Sequence, residues 1–556
     1  MVSRRDVCAP NQCSAKLRRM SEVLAAEPPI QRRRLLFLTA IRASAPSIRE
    51  FGLASSSAIL LVLAFPNFDL WWLAWIGLAP LLFAVATTSR KRTAFVLGLI
   101  WGTIFFYGTC WWLTHPMIHF AGVAPWLAYP LLLLPVVFVS VFPGLACACI
   151  ARVVNRFGTW ALLGAPLVWI AFDWLRQALT GLDWNALGYS QAFHPFLIQP
   201  ARWGGIHAVT VLILLANAAV VSAIIHRTIR RTIISAIILV AVAVVLLVST
   251  PNLINPKEGF IAHDFVVGIQ PNVPMDAIDE SKMERLLKRH LDLTAQGLGA
   301  APSDNNVNRL VIWPESPMNF SYSRDAQLQN LIANLARTHQ TSVLLNSLEP
   351  APNGGSYNSA ILINEQGQKI AQYDKIRLMP FGEYVPLPRW LPGSGSVRSI
   401  VGEFTPGSSH TLMPLGAFRA GVFICIEAAH ADLVRGFTNA GADVLINISN
   451  DGYLGPTAVM RQHLANAVFR AVENDRALVR ATNSGISAYI NSNGFVHDTT
   501  GSFQEAVRTW AMSKTAAGST FYARHGDVFA YGCALITLGF ISATFMSRRK
   551  VSEARP

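Results

Sequence analysis

The sequence predicts a multi-span α-helical membrane domain joined to one α/β soluble domain. Three observations lead to this reading. Of 556 residues, 52% are hydrophobic and only 14% charged, where soluble chains carry roughly 25% charged residues. The apolar residues gather into long uncharged stretches between about residues 52 and 250, with one more near the C-terminus. Between them, residues 251–525 alternate short β-rich runs with helical periodicities, as an α/β domain does.

A bilayer-spanning helix needs about 20 apolar residues. Eight stretches qualify: about 52–66, 69–88, 94–114, 123–150, 159–176, 205–225, 233–250 and 527–546. The first is short. The fourth contains Pro130, Pro135 and Pro143 and is expected to kink or break. Alternate loops carry Arg90-Lys91-Arg92, then Arg152 and Arg156, then Arg227, Arg230 and Arg231, then Arg548-Arg549-Lys550. The intervening loops are poor in Lys and Arg. The alternation fits one orientation, with these basic loops and both termini in the cytoplasm and residues 251–525 outside it. The same bias accounts for the net charge of +14, so nucleic-acid binding is not expected. The expected organisation is a basic cytoplasmic extension (1–50, or sequence ahead of the true start), a transmembrane domain of seven helices (51–250), a catalytic domain (251–525), and a final helix with a short basic tail (526–556). The apolar patch at 35–41 is too short to span.

Within the soluble domain, strands are expected at 265–270, 310–313 and 342–345, with helices at 281–296 and 328–336. A hairpin joins 359–364 to 369–373 across Glu365-Gln366-Gly367. Buried strands at 420–426 and 444–448 flank a helix at 431–439. A longer helix at 457–473 precedes strands at 477–482 and 486–490.

Three segments place a reactive side chain where a strand ends. In Val311-Ile312-Trp313-Pro314-Glu315-Ser316 the proline stops the strand, so Glu315 falls on the following turn. It reads either as a general base or as a loop carboxylate. Lys375 follows the hairpin. It reads either as a solvated lysine or as a cation that stabilises an oxyanion or a thiolate, with Glu383 placed to orient it. Of seven cysteines only Cys425 lies in the soluble domain, so it has no disulfide partner there and no CxxC metal pair exists. In Phe423-Ile424-Cys425-Ile426-Glu427 it is either a buried strand cysteine or a nucleophile on a strand-to-helix turn whose backbone N–H groups bind an oxyanion.

Glu, Lys and Cys in this order, each after a strand and about 60 and 50 residues apart, resemble the nitrilase (carbon–nitrogen hydrolase) superfamily over most of 260–515. The resemblance implies an αββα sandwich and a Glu-Lys-Cys triad. Set among membrane spans, the chain is similar to the bacterial apolipoprotein N-acyltransferase family over about 50–546. The segments carrying this are Trp313-Pro314-Glu315-Ser316, Pro380-Phe381-Gly382-Glu383-Tyr384-Val385-Pro386, Ile424-Cys425-Ile426-Glu427, Asn447-Ile448-Ser449-Asn450-Asp451-Gly452 and Leu187-Gly188-Tyr189-Ser190-Gln191. His463, Arg470, Glu473, Arg476, Arg480 and Asn483 fit as well. The chain departs from the family at Ile426, where an aromatic residue is common, and at Tyr453, where Trp is usual. It also lacks a Trp after Gln270-Pro271-Asn272.

That resemblance implies transfer of an acyl chain from phosphatidylethanolamine to the N-terminal amine of a diacylglyceryl-cysteine apolipoprotein, as the last step of lipoprotein maturation. It implies Cys425 as nucleophile, Glu315 as base and acid, and Lys375 with the Ile426 N–H as oxyanion donors. Glu383 and Glu427 are supporting residues. No cofactor or metal is expected, and the enzyme is read as a monomer in the bacterial inner membrane with its catalytic domain in the periplasm. The Pro- and Gly-rich stretch 387–400, with Trp390 and Leu391, reads as a lid dipping into the bilayer or as a surface loop. The rival reading is a membrane-anchored amidase acting on a small substrate. A transporter is disfavoured, since Asp173 is the only notable charge within a span.

Overall fold

The short, near-continuous apolar runs of the soluble half suit strands buried on both faces. In the computed structural model these residues form two six-stranded sheets. The structure describes residues 44–181, 183–250, 264–301, 307–352, 354–386, 390, 395, 404–416, 418–512 and 518–546. Expectations for residues 1–43, the patch at 35–41, the basic tail at 547–556, and Leu391 with most of the 387–400 stretch lie outside them.

The first sheet has the order β12-β1-β2-β3-β4-β5. Its strands are β1 (Asp264–Gln270), β2 (Asn308–Trp313), β3 (Ser342–Pro350), β4 (Ser356–Ile363), β5 (Lys369–Asp374) and β12 (Ala506–Met512). The three strands β1 to β3 pair in parallel, while β4, β5 and β12 join antiparallel. The second sheet has the order β11-β10-β9-β8-β7-β6. It comprises β6 (Leu412–Leu415), β7 (Phe418–Ile424), β8 (Val444–Ser449), β9 (Leu478–Thr482), β10 (Ala488–Ile490) and β11 (Val496–His497), with β7, β8 and β9 parallel.

Alternation sorts the two faces of the first sheet. Val267, Val311, Val343, Leu345 and Ile361 pack under two outer helices, Glu280–Ala300 and Ala326–His339, against Leu293, Leu328 and Ile332. Their neighbours Val266, Leu310, Ile312, Leu344 and Leu362 share one core with Val422, Ile424 and Ile446 of the second sheet. Helices Ala431–Asn439 and Val459–Asn474 pack on that second sheet. The result is the αββα sandwich. Asp279 and Asp325 cap the first two helices, accepting from Lys282 N at 2.7 Å and Leu328 N at 2.9 Å. The edge strands β6, β11 and β12 were not legible in advance: β6 carries Pro414, and β12 is only half-buried.

We number the apolar helices in chain order: α1 (Ile48–Ala64), α2 (Trp71–Thr87), α3 (Lys91–Cys110), α4 (Pro125–Phe157), α5 (Ala165–Thr180), α6 (Ala201–His226) and α7 (Ile229–Val248). A final helix, Val528–Met546, follows the soluble domain. A helix thus stands at each of the eight expected positions. Five are long and apolar enough to cross a membrane: α3 with its continuation to His119, α4, α6, α7 and the last. The others are shorter. α1 has 17 residues and α5 has 16, and α2 starts as a 3-10 turn at Trp71–Leu73. α5 stops at Gly181, which takes the left-handed C-cap conformation with φ 76°.

The fourth stretch does not break. α4 runs unbroken over 33 residues through Pro130, Pro135 and Pro143. Within membranes, neighbouring helices make such prolines tolerable. Here α3 lies directly against the Pro143 turn, and a Cβ at Gly98 would strike the Pro143 carbonyl oxygen, one at Gly102 the Pro143 ring. Backbones meet this closely only through small residues.

The helix Val459–Asn474 joins the two halves. Every residue in it except Arg461 is buried. Arg202 of α6 meets Asp475 at 2.6 Å, and Ile206 N donates to Glu473 Oε1 at 3.1 Å. Tyr189 stacks edge-on against Phe469 at 5.0 Å.

If the α3–α4 contact holds the membrane half, Gly98→Val will lower stability by about 1–3 kcal/mol through overpacking. A thermal unfolding midpoint in detergent equal to wild type would show that the helices separate freely there.

Candidate active site

Three strand ends converge on one edge of the sandwich. β2 ends at Trp313 because Pro314 cannot extend it, and Glu315 turns into the space between the sheets. β5 runs in the same direction as β2, so Lys375 emerges at the same edge. β4 runs opposite, which brings its early residue Asn358 there too.

Lys375 is only 1% exposed. Its Nζ lies 2.9 Å from Glu383 Oε1 and 3.5 Å from Glu315 Oε1. Burial works against the ammonium, but Glu315 and then Glu383 outweigh it and hold the lysine well above its ordinary range. Asn358 Nδ2 donates to both carboxylates, at 2.8 Å to Glu315 and 2.7 Å to Glu383, and its Oδ1 accepts from Asn346 Nδ2 at 2.7 Å. Backbone N–H groups complete the set: Asn450 N donates to Glu315 Oε2 at 2.9 Å, and Met379 N to Glu383 Oε2 at 2.7 Å.

Cys425 follows β7 and opens a short 3-10 turn, Cys425–Ala429. Its φ of 53° lies in the left-handed region that non-glycine residues rarely adopt. Burial pushes the thiol up and the Glu315 carboxylate adds to this, while Lys375 opposes both. The thiolate form of Cys425 is thereby disfavoured, with the Glu315 carboxylate and the Lys375 ammonium both close by.

Glu427 sits behind the site. Its Oε1 accepts from Tyr373 OH, Ile376 N and Arg377 N at 2.8, 2.8 and 2.9 Å, and its Oε2 from Ile424 N at 2.8 Å. Burial raises it to about 7, opposed by the N–H groups of Arg377 and Ile424. Glu427 thus ties the loop after Lys375 to the strand before Cys425. Ile426 is buried and Trp390 is 80% exposed. Tyr453 forms the rim, its ring exposed and edge-on to Phe120 at 5.8 Å. Burial, then Glu315 and Cys425, push its phenol up to about 12.

Asn358 and the Asn450 N–H were not among the expected site residues. The only sequence signal for Asn358 is a polar side chain at an inward strand position. Asn450 stands in a segment quoted for its resemblance, with no role attached. Among the described residues, no group of three or more His, Cys, Asp or Glu side chains is placed to hold a metal ion.

Comparison with known proteins follows this geometry. Residues 277–520 match the family described as Carbon-nitrogen hydrolase, and residues 57–219 the Apolipoprotein N-acyltransferase N-terminal domain. An amidase from Nesterenkonia sp. AN1 is 18% identical, covering 48% of this chain and 98% of its own with a TM-score of 0.35. By the family match over 277–520 and its two sheets, the soluble half is a carbon–nitrogen hydrolase sandwich, joined to a set of apolar helices. An Apolipoprotein N-acyltransferase from Geobacter metallireducens is 33% identical over 90% of this chain and 96% of its own. Another from Photobacterium profundum is 26% identical over 89% and 95%. The chain belongs to the apolipoprotein N-acyltransferase family and is an acyltransferase.

Because burial and Glu315 both raise the Cys425 thiol, its alkylation by iodoacetamide will keep accelerating as pH rises toward and past its ordinary value of 9.0. Rates measured on purified protein that level off below pH 8 would mean a preformed thiolate instead.

Proposed function

We propose that the enzyme moves a fatty acyl chain from phosphatidylethanolamine, at its sn-1 ester, to the N-terminal amine of a diacylglyceryl-cysteine apolipoprotein. The observation that carries this reading is the grouping of Glu315, Lys375 and Cys425 at one strand edge, beside a helix packed against the membrane half. Glu315 takes the Cys425 proton, and the sulfur attacks the ester carbonyl. The Lys375 ammonium and the Ile426 N–H stabilise the oxyanion. The C–O bond breaks, and Glu315 returns the proton to the leaving lysophospholipid oxygen. The thioester then meets the apolipoprotein amine. Glu315 takes a proton from the nitrogen, the C–S bond breaks, and that proton restores the thiol. Glu383 holds Lys375 throughout, and Glu427 keeps the Lys375 loop against the Cys425 turn.

A thioester suits this sequence because an amine cleaves it readily once water is excluded. The reading places residues 251–525 in the periplasm, residues 51–250 and 526–546 in the inner membrane, and both termini in the cytoplasm. It makes this the last step of lipoprotein maturation, performed by a monomer. Exposed Trp390 dips into the outer leaflet beside the site.

Incubation of the purified protein with phosphatidylethanolamine will leave an acyl adduct on Cys425, visible by intact-protein mass spectrometry. Glu315→Gln will slow its formation by about 100-fold or more, the loss of a positioned base. No adduct on wild type, with hydrolysis of small amides instead, would favour the amidase reading. Trp390→Ala will raise the phospholipid concentration needed for half-maximal acylation by about tenfold, the equivalent of about 1.4 kcal/mol of lost membrane contact. An unchanged value would remove Trp390 from lipid contact.

A further inference from the structure

We propose that His463 positions the oxyanion donor, by gripping the Cys425 carbonyl oxygen and so aiming the N–H of Ile426. This rests on the reading of Cys425 as nucleophile given above.

His463 is 2% exposed and lies on the helix that joins the two halves. Its Nε2 is 2.9 Å from the Cys425 carbonyl oxygen. That oxygen can only accept, so Nε2 carries the hydrogen. Nδ1 is 2.8 Å from Asp451 Oδ1. Asp451 is fixed in turn by Arg480 Nη2 at 2.6 Å and Ser449 Oγ at 2.8 Å. Burial alone would push the Asp451 carboxyl up, but Arg480 and then His463 hold it well below the usual carboxylate range. The grip therefore ends in a fixed ion pair, not in a mobile side chain.

The peptide unit between Cys425 and Ile426 is planar, with its C=O and N–H pointing in opposite directions. Holding the oxygen at His463 therefore fixes where the Ile426 N–H points. Without that hold, a left-handed Cys425 with φ 53° has a strained backbone free to relax. His463 reaches the carbonyl and not the sulfur, so it is a positioning residue and not a base.

The next residue back ties the same helix to the membrane half. Gln462 Oε1 accepts from Trp112 Nε1 at 3.1 Å and Trp184 Nε1 at 3.2 Å, while its Nε2 donates to Thr109 O at 3.0 Å and Pro66 O at 3.3 Å. Adjacent residues thus fasten one turn of helix to the membrane-side loops and to the nucleophile's backbone.

Two substitutions separate the two contacts. His463→Asn keeps an amide where Nδ1 meets Asp451 but cannot reach Cys425. His463→Gln places an amide nitrogen where Nε2 was. The full-length enzyme in phosphatidylethanolamine micelles would be assayed for single-turnover acylation of Cys425 and, separately, for alkylation by iodoacetamide, which forms no oxyanion. His463→Asn is expected to slow acylation at saturating phospholipid by about 100-fold, with half-saturation and alkylation within about threefold of wild type, and His463→Gln to recover about tenfold of the loss. Acylation by His463→Asn at the wild-type rate, or no recovery by His463→Gln, overturns the inference. If His463→Asn does not fold, His463→Gln decides alone: its acylation must stay within about tenfold of wild type. Absence of any adduct on wild type overturns the thioester reading itself, a result distinct from either.

Discussion

A buried lysine ammonium sets the geometry of this site. Removed from water, Lys375 would cost several kcal/mol unless compensated, and its compensation comes from Glu315 and Glu383, which arrive on different segments. The two carboxylates repel each other unless the cation and the Asn358 amide stand between them. Each group is tolerable only because the others are present. The strand directions follow from the same need, since β2 and β5 must end where β4 begins for the three to meet.

The second constraint is that this edge must sit beside the apolar helices. One helix serves as the shared wall, packed on β9 on one side and on α6 on the other. A helix buried on nearly every face cannot be amphipathic in the ordinary sense, and this one carries His463, Arg470, Glu473 and Asn474 inside. Arg470 and Glu473 pair along the helix at 2.8 Å, and each also reaches across the seam, Arg470 donating to Tyr189 OH at 3.3 Å and Glu473 accepting from the backbone of α6. The catalytic sandwich is therefore not tethered loosely to the apolar helices. It shares its core with them.

Glu315, Lys375, Cys425 and Glu383 were legible because each interrupts a readable pattern, following a strand or a proline turn. Glu427 was legible as a carboxylate near Cys425, but in the fold it holds four donors behind the site. Asn358 and Asn450 were hidden for the opposite reason. A polar residue within or just past a strand looks the same whether it faces water or a carboxylate 43 or 135 residues away in the chain. His463 stood among residues that fitted the family, yet nothing local ties a helix histidine to a carbonyl 38 residues earlier. The helix lengths in the membrane half were also beyond reading. Hydropathy marks where apolar segments lie, while caps such as Ser47 and Gly181 and the α3–α4 contact decide where helices start, stop and stay unbroken.

By itself the sequence determined the two-part architecture, the sandwich's principal strands and the chemical identities of the reactive groups. These depend on local periodicity and on residue type, which are written along the chain. Tertiary structure alone decided that Lys375 is paired twice, that the Pro143 turn of α4 lies against Gly98 and Gly102 of α3, and that one helix carries both the contacts to the apolar helices and the grip on Cys425. These depend on distances between residues far apart in sequence, and such distances are set only when strand direction, register and helix packing are satisfied together.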